Sequence, residues 1–292
     1  DSSSLIDNYI LSLFELPNEK MLVTTSSGSC IYNSDAEKFD TGYNKYLHSL
    51  GLPAGQIRNV VKGSDGRYWF LYENLDLYLY SCKDKKIKLF SHSPVFDPLA
   101  KITSLQETRD GKLWLVYQNG FLQEYDIKSD KIIVSSNALQ KLNRGNILYD
   151  LSVDKDGDIW LWSYNVGVFV FHPRDNSVRR FNENSFPSRL SSNLVSKVIQ
   201  DNNGIIWVGT DHGGVTLINK KNNFKTSYLL NDPEDPKSLS QNTITAIYKD
   251  NIGIIWLGTY KQGINYLNSN IVQFPYYHHQ ESNPNGLPYD DV

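Results

Sequence analysis

The sequence predicts an all-β fold, a β-propeller of four-stranded antiparallel blades, and three observations carry that expectation. Five of the six tryptophans close the same short unit: Asp65-Gly66-Arg67-Tyr68-Trp69, Asp110-Gly111-Lys112-Leu113-Trp114, Asp156-Gly157-Asp158-Ile159-Trp160, Asn203-Gly204-Ile205-Ile206-Trp207 and Ile252-Gly253-Ile254-Ile255-Trp256. A second marker, Leu-x-x-Asn-x-Ile/Val, runs from Leu5 to Ile10, Leu190 to Val195 and Leu239 to Ile244, with looser copies at Leu142 to Ile147 and Leu287 to Val292. The third observation is that each interval between markers holds four short strand-like runs.

Internal periodicity decides the architecture before any single element does. With Ile10, Ile57, Ile102, Ile147, Val195, Ile244 and Val292 as origins, the intervals are 47, 45, 45, 48, 49 and 48 residues, six repeats of about 47. Blades are expected at approximately 5–51, 52–98, 99–141, 142–189, 190–238 and 239–286, with 287–292 as the start of a next blade. The six repeats either close by themselves or form part of a seven-bladed or tandem propeller.

Each element follows from its residues. Ile244 to Tyr248 alternates apolar and polar side chains, as a half-buried strand does, and leads into the polar turn Lys249 to Gly253. Ile255 to Thr259 is the second strand, Ile264 to Leu267 the third, and Val272-Gln273-Phe274 begins a fourth. The Asp-Gly and Asn-Gly pairs supply the positive-φ residue of a tight hairpin, so their acids read as turn-formers rather than catalysts. Repeat one is degenerate, with Pro17-Asn18-Glu19-Lys20 as its turn and Met21 assigned to the tryptophan position. Trp69, Trp114, Trp160, Trp207 and Trp256, on the second strands, are expected to fill the space between neighbouring blades.

Composition bounds the function. A net charge of −3, with 29 basic and 32 acidic residues spread along the chain, leaves no basic stripe for a nucleic acid backbone. No apolar run reaches the roughly 18 to 20 residues of a membrane span, and Asp1-Ser2-Ser3-Ser4 lacks the pattern of a signal peptide. Any membrane attachment is therefore assigned to regions outside this chain. Cys30 and Cys82 lie at different phases of their repeats, which argues against a disulfide between them. No nucleophile elbow, phosphate loop or zinc-spaced Cys/His set is present, and His278-His279 point oppositely on an extended chain, a poor metal clamp. Neither a cofactor nor a catalytic residue is expected.

Leu239 to Ile244, then Asn251-Ile252-Gly253-Ile254-Ile255-Trp256-Leu257-Gly258-Thr259, then Gly263-Ile264-Asn265, together resemble the two-component regulator propeller repeat. The connector Asp232 to Leu239 is similar to one common in that family. The Gly-His and Trp-Asp pairs of WD40 blades, the repeated Gly-Gly of kelch and the spacing of an Asp-box are all missing. The resemblance implies the periplasmic sensor region of a hybrid histidine kinase of the Bacteroidetes. In that reading the segment is not an enzyme, senses an oligosaccharide or other nutrient, relays to a kinase elsewhere in the receptor, and pairs with a second copy through the full-length protein. The competing expectations are a propeller lyase or glycoside hydrolase, and a scaffold for protein contacts.

The departures from the repeat point to candidate binding positions. The Gly-Thr after the tryptophan, present at Gly209-Thr210 and Gly258-Thr259, becomes Leu71-Tyr72, Val116-Tyr117 and Trp162-Ser163 in repeats two to four. Loops joining second to third strands share a face with the blade connectors. Tyr72, Glu73, Tyr117, Gln118, Asn119, Trp162, Tyr164, Asn165, Asp211, His212, Tyr260 and Lys261 are therefore expected to border one face. Aromatic rings beside amides and carboxylates suit a sugar. The alternative is that the rings of repeats two to four fill wider gaps between blades, and for any single ring that packing reading outweighs binding.

Overall fold

The computed structural model describes residues 4–90, 100–142, 145–235 and 237–267, and it is a six-bladed propeller of antiparallel sheets. Blade 1 comprises β1 (Ile10–Glu15), β2 (Met21–Thr25), β3 (Gly28–Asn33) and β4 (Lys38–Asp40). Blade 2 comprises β5 (Ile57–Lys62), β6 (Arg67–Tyr72), β7 (Leu77–Ser81) and β8 (Lys86–Leu89). Blade 3 is built from β9 (Ile102–Glu107), β10 (Lys112–Tyr117), β11 (Leu122–Asp126) and β12 (Lys131–Ser136). Blade 4 has β13 (Asp150–Val153), β14 (Ile159–Ser163), β15 (Gly167–His172) and β16 (Ser177–Phe181). Blade 5 has β17 (Val195–Gln200), β18 (Ile205–Thr210), β19 (Val215–Asn219) and β20 (Lys225–Leu229). Blade 6 shows β21 (Ile244–Lys249), β22 (Ile255–Thr259) and β23 (Ile264–Leu267). The run expected as its fourth strand, the pair His278-His279 and the last marker, Leu287 to Val292, lie outside the described residues.

Each sheet takes its strands in chain order, because two- to five-residue turns can only join antiparallel neighbours. The turn before the second strand shows the role of its glycine. Gly157 at φ 85° and Gly204 at φ 88° occupy the left-handed region, and their N–H groups donate to the carbonyls of Asp154 and Asp201. Two connectors are helical rather than extended, α1 (Tyr43–Ser49) and α2 (Ala138–Leu142). Tyr43 and Leu47 of α1 cover the core between blades 1 and 2, which explains a helix in a chain whose pattern otherwise reads as strand.

The core is a series of layers between blades, and period-two alternation on the second strand distributes side chains to the two neighbours. Trp69 packs with Leu105, Leu113 and Leu115 of blade 3, whereas Tyr72, three positions on and so on the other side, packs toward blade 1 with Leu16 and Leu22. Trp114 lies against Leu151, Ile159 and Phe171 of blade 4. Trp160 and Trp162 both face blade 5, beside Val195, Val198 and Ile206, and Trp207 faces Ile244, Ile247 and Leu257 of blade 6. Trp256 differs, remaining 37% exposed.

The register corrects one expectation. Glu15 pairs with Met21 in blade 1 as Lys62 pairs with Tyr68 in blade 2, so Leu22, not Met21, is the counterpart of Trp69. Leu22 is fully buried and Met21 is exposed, as that alignment requires. Cys30 is buried and Cys82 exposed, and both are free thiols.

Candidate functional site

The loops after the second strands gather on one face, and there the sequence-derived candidates divide into two groups. Tyr72, Tyr117 and Trp162 are buried and belong to the inter-blade cores. The Tyr72 hydroxyl donates to the Pro53 carbonyl at 2.8 Å, and that of Tyr117 to Gln123 Oε1 at 2.6 Å. Burial pushes both phenols well above their ordinary range. These three residues present no ring at the surface, and the physical reason is strand alternation: Trp162, two residues past Trp160, must share its buried side.

The other candidates line the rim. Gln118 and Asn119 are half-buried, Gln118 tying the blade 3 loop to both connectors through backbone bonds with Lys101 and Ile147. Glu73 is exposed and lies 3.9 Å from the Arg58 guanidinium. The continuous feature is in blades 4 to 6. Tyr164 donates its hydroxyl to Asp211 Oδ2 at 3.2 Å, and Thr243 donates to Asp211 Oδ1 at 3.0 Å. His212 Nδ1 sits 2.8 Å from the same Oδ1, and the His212 N–H donates to Thr243 Oγ1 at 3.3 Å. The Tyr260 N–H then donates to the Thr243 carbonyl, and the Lys261 ammonium lies 4.9 Å from the Tyr260 ring centre. A single carboxylate thus joins loops from three blades. The bond to Asp211 raises the Tyr164 phenol pKa.

Asn165, His212 and Lys261 take equivalent places in these loops, each with positive φ, at 63°, 65° and 60°. Asn and His adopt this left-handed conformation more readily than most side chains do. Tyr164 is 61% exposed and Tyr260 44% exposed, leaving two rings open to solvent beside an acid, an imidazole and an ammonium. Chemically this offers ring faces for apolar sugar surfaces and charged acceptors and donors for hydroxyls.

Charged side chains of the first strands of blades 2, 4 and 5 also act on one another. Burial raises the Asp150 carboxyl pKa, against the opposing pull of Lys197, Arg58 and the Ser104 hydroxyl. Thr210 and Thr259, the threonines of the intact Gly-Thr pairs, turn inward to donate to the carbonyls of Gly214 and Gly263 at 3.0 and 2.9 Å. They fasten the loops that carry His212 and Lys261. A side chain at Gly209 would meet Ile247 at 2.8 Å and Ile244 at 3.0 Å, so glycine is required there for blade 6 to approach blade 5.

The opposite face carries interactions that the sequence reading missed. Six residues before Trp160, Trp207 and Trp256 stand Asp154, Asp201 and Asp250, and each accepts the indole N–H, at 2.9, 3.1 and 3.0 Å. The other oxygen of each carboxylate caps the backbone of its own turn. Blade 2 has Gly63 at that place, and Glu107 of blade 3 reaches across to accept from Trp69 Nε1 at 3.3 Å and from the Ser64 N–H at 3.1 Å. Lys220 of blade 5 inserts its ammonium among Asp154, Asp156 and Asp158 of blade 4, at 2.5, 2.8 and 2.7 Å. Burial works against its charge, but the three carboxylates prevail and raise its pKa. The regular six-residue interval between acid and tryptophan was the available signal.

The chain is a β-propeller with an aromatic and charged rim on one face. Residues 189–212 and 238–261, in repeats five and six, match the family model for the two component regulator propeller. The extracellular domain of the putative hybrid two component system BT4673 from B. thetaiotaomicron has a similar structure, with a TM-score of 0.66 and 21% identity over 91% of this chain. That of the putative hybrid two component system BT3049 from the same species is similar with a TM-score of 0.59 and 19% identity over 90% of this chain. PorZ, a surface component of the type-IX secretion system of Porphyromonas gingivalis, gives a TM-score of 0.57 and 15% identity over 89% of this chain. This chain spans 34%, 40% and 38% of the solved chains of those three structures, respectively. No curated protein sequence matches it. Among the described residues no helix is long and apolar enough to cross a membrane.

Proposed function

We propose that this propeller is the extracytoplasmic, periplasmic ligand-sensing part of a two-component receptor, responding to an oligosaccharide or similar hydroxylated nutrient and relaying to a histidine kinase outside this chain. The observation that carries the reading is the Asp211 junction. One carboxylate holds Tyr164 of blade 4 and Thr243 of blade 6 while His212, Tyr260 and Lys261 stand exposed around it. A ligand that competes for Asp211 changes bonds in three blades at once, which is how a local contact acquires a structural readout. The repeats shared with two-component regulators and the likeness to extracellular domains of such systems support the same class. Glu73, Gln118, Asn119 and Asn165 extend the proposed rim.

The test is calorimetry with a panel of neutral and acidic oligosaccharides on the wild type, Asp211→Ala and Tyr164→Phe. Saturable binding that weakens about tenfold or more in Asp211→Ala, with no new reducing ends, is expected for a sensor. Release of reducing ends would replace this reading with the carbohydrate-active enzyme. Equal binding by all three proteins would move the site off this rim. In the full-length receptor, ligand-dependent autophosphorylation should fall with the same variants.

A further inference from the structure

On the face opposite the rim a cavity of about 1170 Å³ opens among the hairpins of blades 3 to 6. Its wall contains Arg109, Lys112, Lys155, Arg174, Lys197 and Lys249 together with six acids, each of which bonds a cation or an N–H donor. Asp110 and Glu124 hold Lys112, at 3.2 and 3.8 Å, and Asp154, Asp156 and Asp158 hold Lys220. Glu107 is spent on the Ser64 N–H and the Trp69 indole. Among the described residues, Arg109, Lys155 and Lys249 have no carboxylate within ion-pair distance; those carboxylates are taken by other cations or donors.

Two of these cations are brought together by the backbone. Lys155, from blade 4, donates to the Asp201 and Asn202 carbonyls at 3.3 and 2.9 Å, and Lys249, from blade 6, donates to the Gln200 carbonyl at 3.0 Å. Three successive carbonyls of the blade 5 hairpin therefore position ammonium groups arriving from both sides. Each ammonium has three donors, so one remains on Lys155 and two on Lys249. Burial lowers the Lys249 pKa, and the charges of Lys155 and Arg109 lower it further against the opposing Asp201 carboxylate. Arg109, at the exposed tip of the blade 3 hairpin, adds a planar fork of donors.

We propose that this cavity binds a multivalent tetrahedral oxyanion, a phosphate or sulfate group, held by Arg109, Lys155 and Lys249. Like charges gathered in a concave wall repel one another, and a bound dianion reverses the sign of that interaction. The guanidinium offers bidentate bonds to two oxygens, and the ammonium groups supply the donors their carbonyls leave over. This site is on the opposite face from the proposed sensing rim and is independent of it.

The experiment titrates inorganic phosphate and inorganic sulfate into the protein by calorimetry, with ionic strength held constant by chloride. Glucose 6-phosphate and glucose 6-sulfate, run in parallel, separate a free ion from an esterified group. Saturable one-to-one binding is expected, at least about tenfold weaker in Arg109→Gln and unchanged in Lys45→Gln, a control on the exposed side of α1. Among the described residues Arg109 has no side-chain hydrogen bond or ion pair that its removal would break, so the variant's melting temperature should match the wild type's. Absence of saturable binding, or equal affinity in Arg109→Gln and Lys45→Gln, overturns the proposal. An Asp211→Ala protein that keeps its anion site while losing sugar binding would confirm that the two faces act separately.

Discussion

Blades 4 and 5 satisfy the tryptophan of each repeat from within, whereas blade 2 borrows its partner. Asp154 and Asp201 accept the indoles of their own blades and cap their own turns, while Gly63 leaves both tasks in blade 2 to Glu107 of the neighbour. A Cβ at Gly63 would stand 2.4 Å from Glu107 Oε2, so the two arrangements exclude each other. The difference teaches that in blades 2, 4, 5 and 6 the indole finds a carboxylate acceptor even where the position supplying it changes. A buried donor left unpaired costs about 1–3 kcal/mol, enough to favour any nearby acid that can reach it.

The widest split between regions is expected for the tryptophans themselves. Trp160→Ala removes a ring that is 1% exposed and should cost about 3–5 kcal/mol, read as a large fall in melting temperature. Trp256→Ala, where the ring is 37% exposed, should cost clearly less. Equal losses at the two positions would break the distinction between filled and open blade faces.

Lys220→Met tests the junction of blades 4 and 5. Removing one member of a buried ionic cluster typically costs about 3–5 kcal/mol, because the remaining charges lose their compensation. The Lys220 side chain is 12% exposed and that of Asp154 1%, so the variant strands acids in a poorly solvated place. The sign of the pH dependence follows from the shifts. Lys220 is raised, so its contribution is complete below the ordinary lysine range of about 10.4 and is lost only as pH rises through its higher folded value. Asp156 is lowered by its bond to Lys220, so its contribution is present above the ordinary carboxylate range of about 4 and is lost as pH falls through its lower folded value. The melting-temperature gap between wild type and variant should be widest near neutrality and shrink in acid. A constant gap would assign Lys220 to packing alone.

The parts of this molecule legible in the sequence are those set by local periodicity. Trp69, Trp114, Trp160 and Trp207 could be placed between blades because turn chemistry and strand alternation are encoded within a few residues. Met21 was misplaced by one residue because Pro17-Asn18-Glu19 forms a turn without the Asp-Gly signal, so the frame of blade 1 had no anchor. Tyr72, Tyr117 and Trp162 stood out as bulk where the repeat has glycine and threonine, yet bulk alone does not say which side of a sheet is wet. The reach of Glu107, the insertion of Lys220 and the meeting of Tyr164, Asp211 and Thr243 join residues more than thirty positions apart, the last pair at 32 and the first at 38. Such contacts depend on the angle between blades, which no single repeat encodes.

The smallest effect expected is also the most direct test of the comparison between blades. Glu107→Ala leaves the Trp69 indole N–H buried without an acceptor and should cost about 1–3 kcal/mol. Gly63→Asp alone should also destabilise, because the new side chain meets Glu107 and sets two carboxylates against each other. Gly63 bonds its N–H to the Arg67 carbonyl as Asp154 does to that of Asp158, so an aspartate at 63 has the backbone frame that blade 4 uses. Combining Gly63→Asp with Glu107→Ala should therefore recover much of what either change loses, a coupling readable as a double-mutant cycle in urea unfolding. Additive losses would mean that Glu107 serves blade 2 by something other than replacing the missing aspartate.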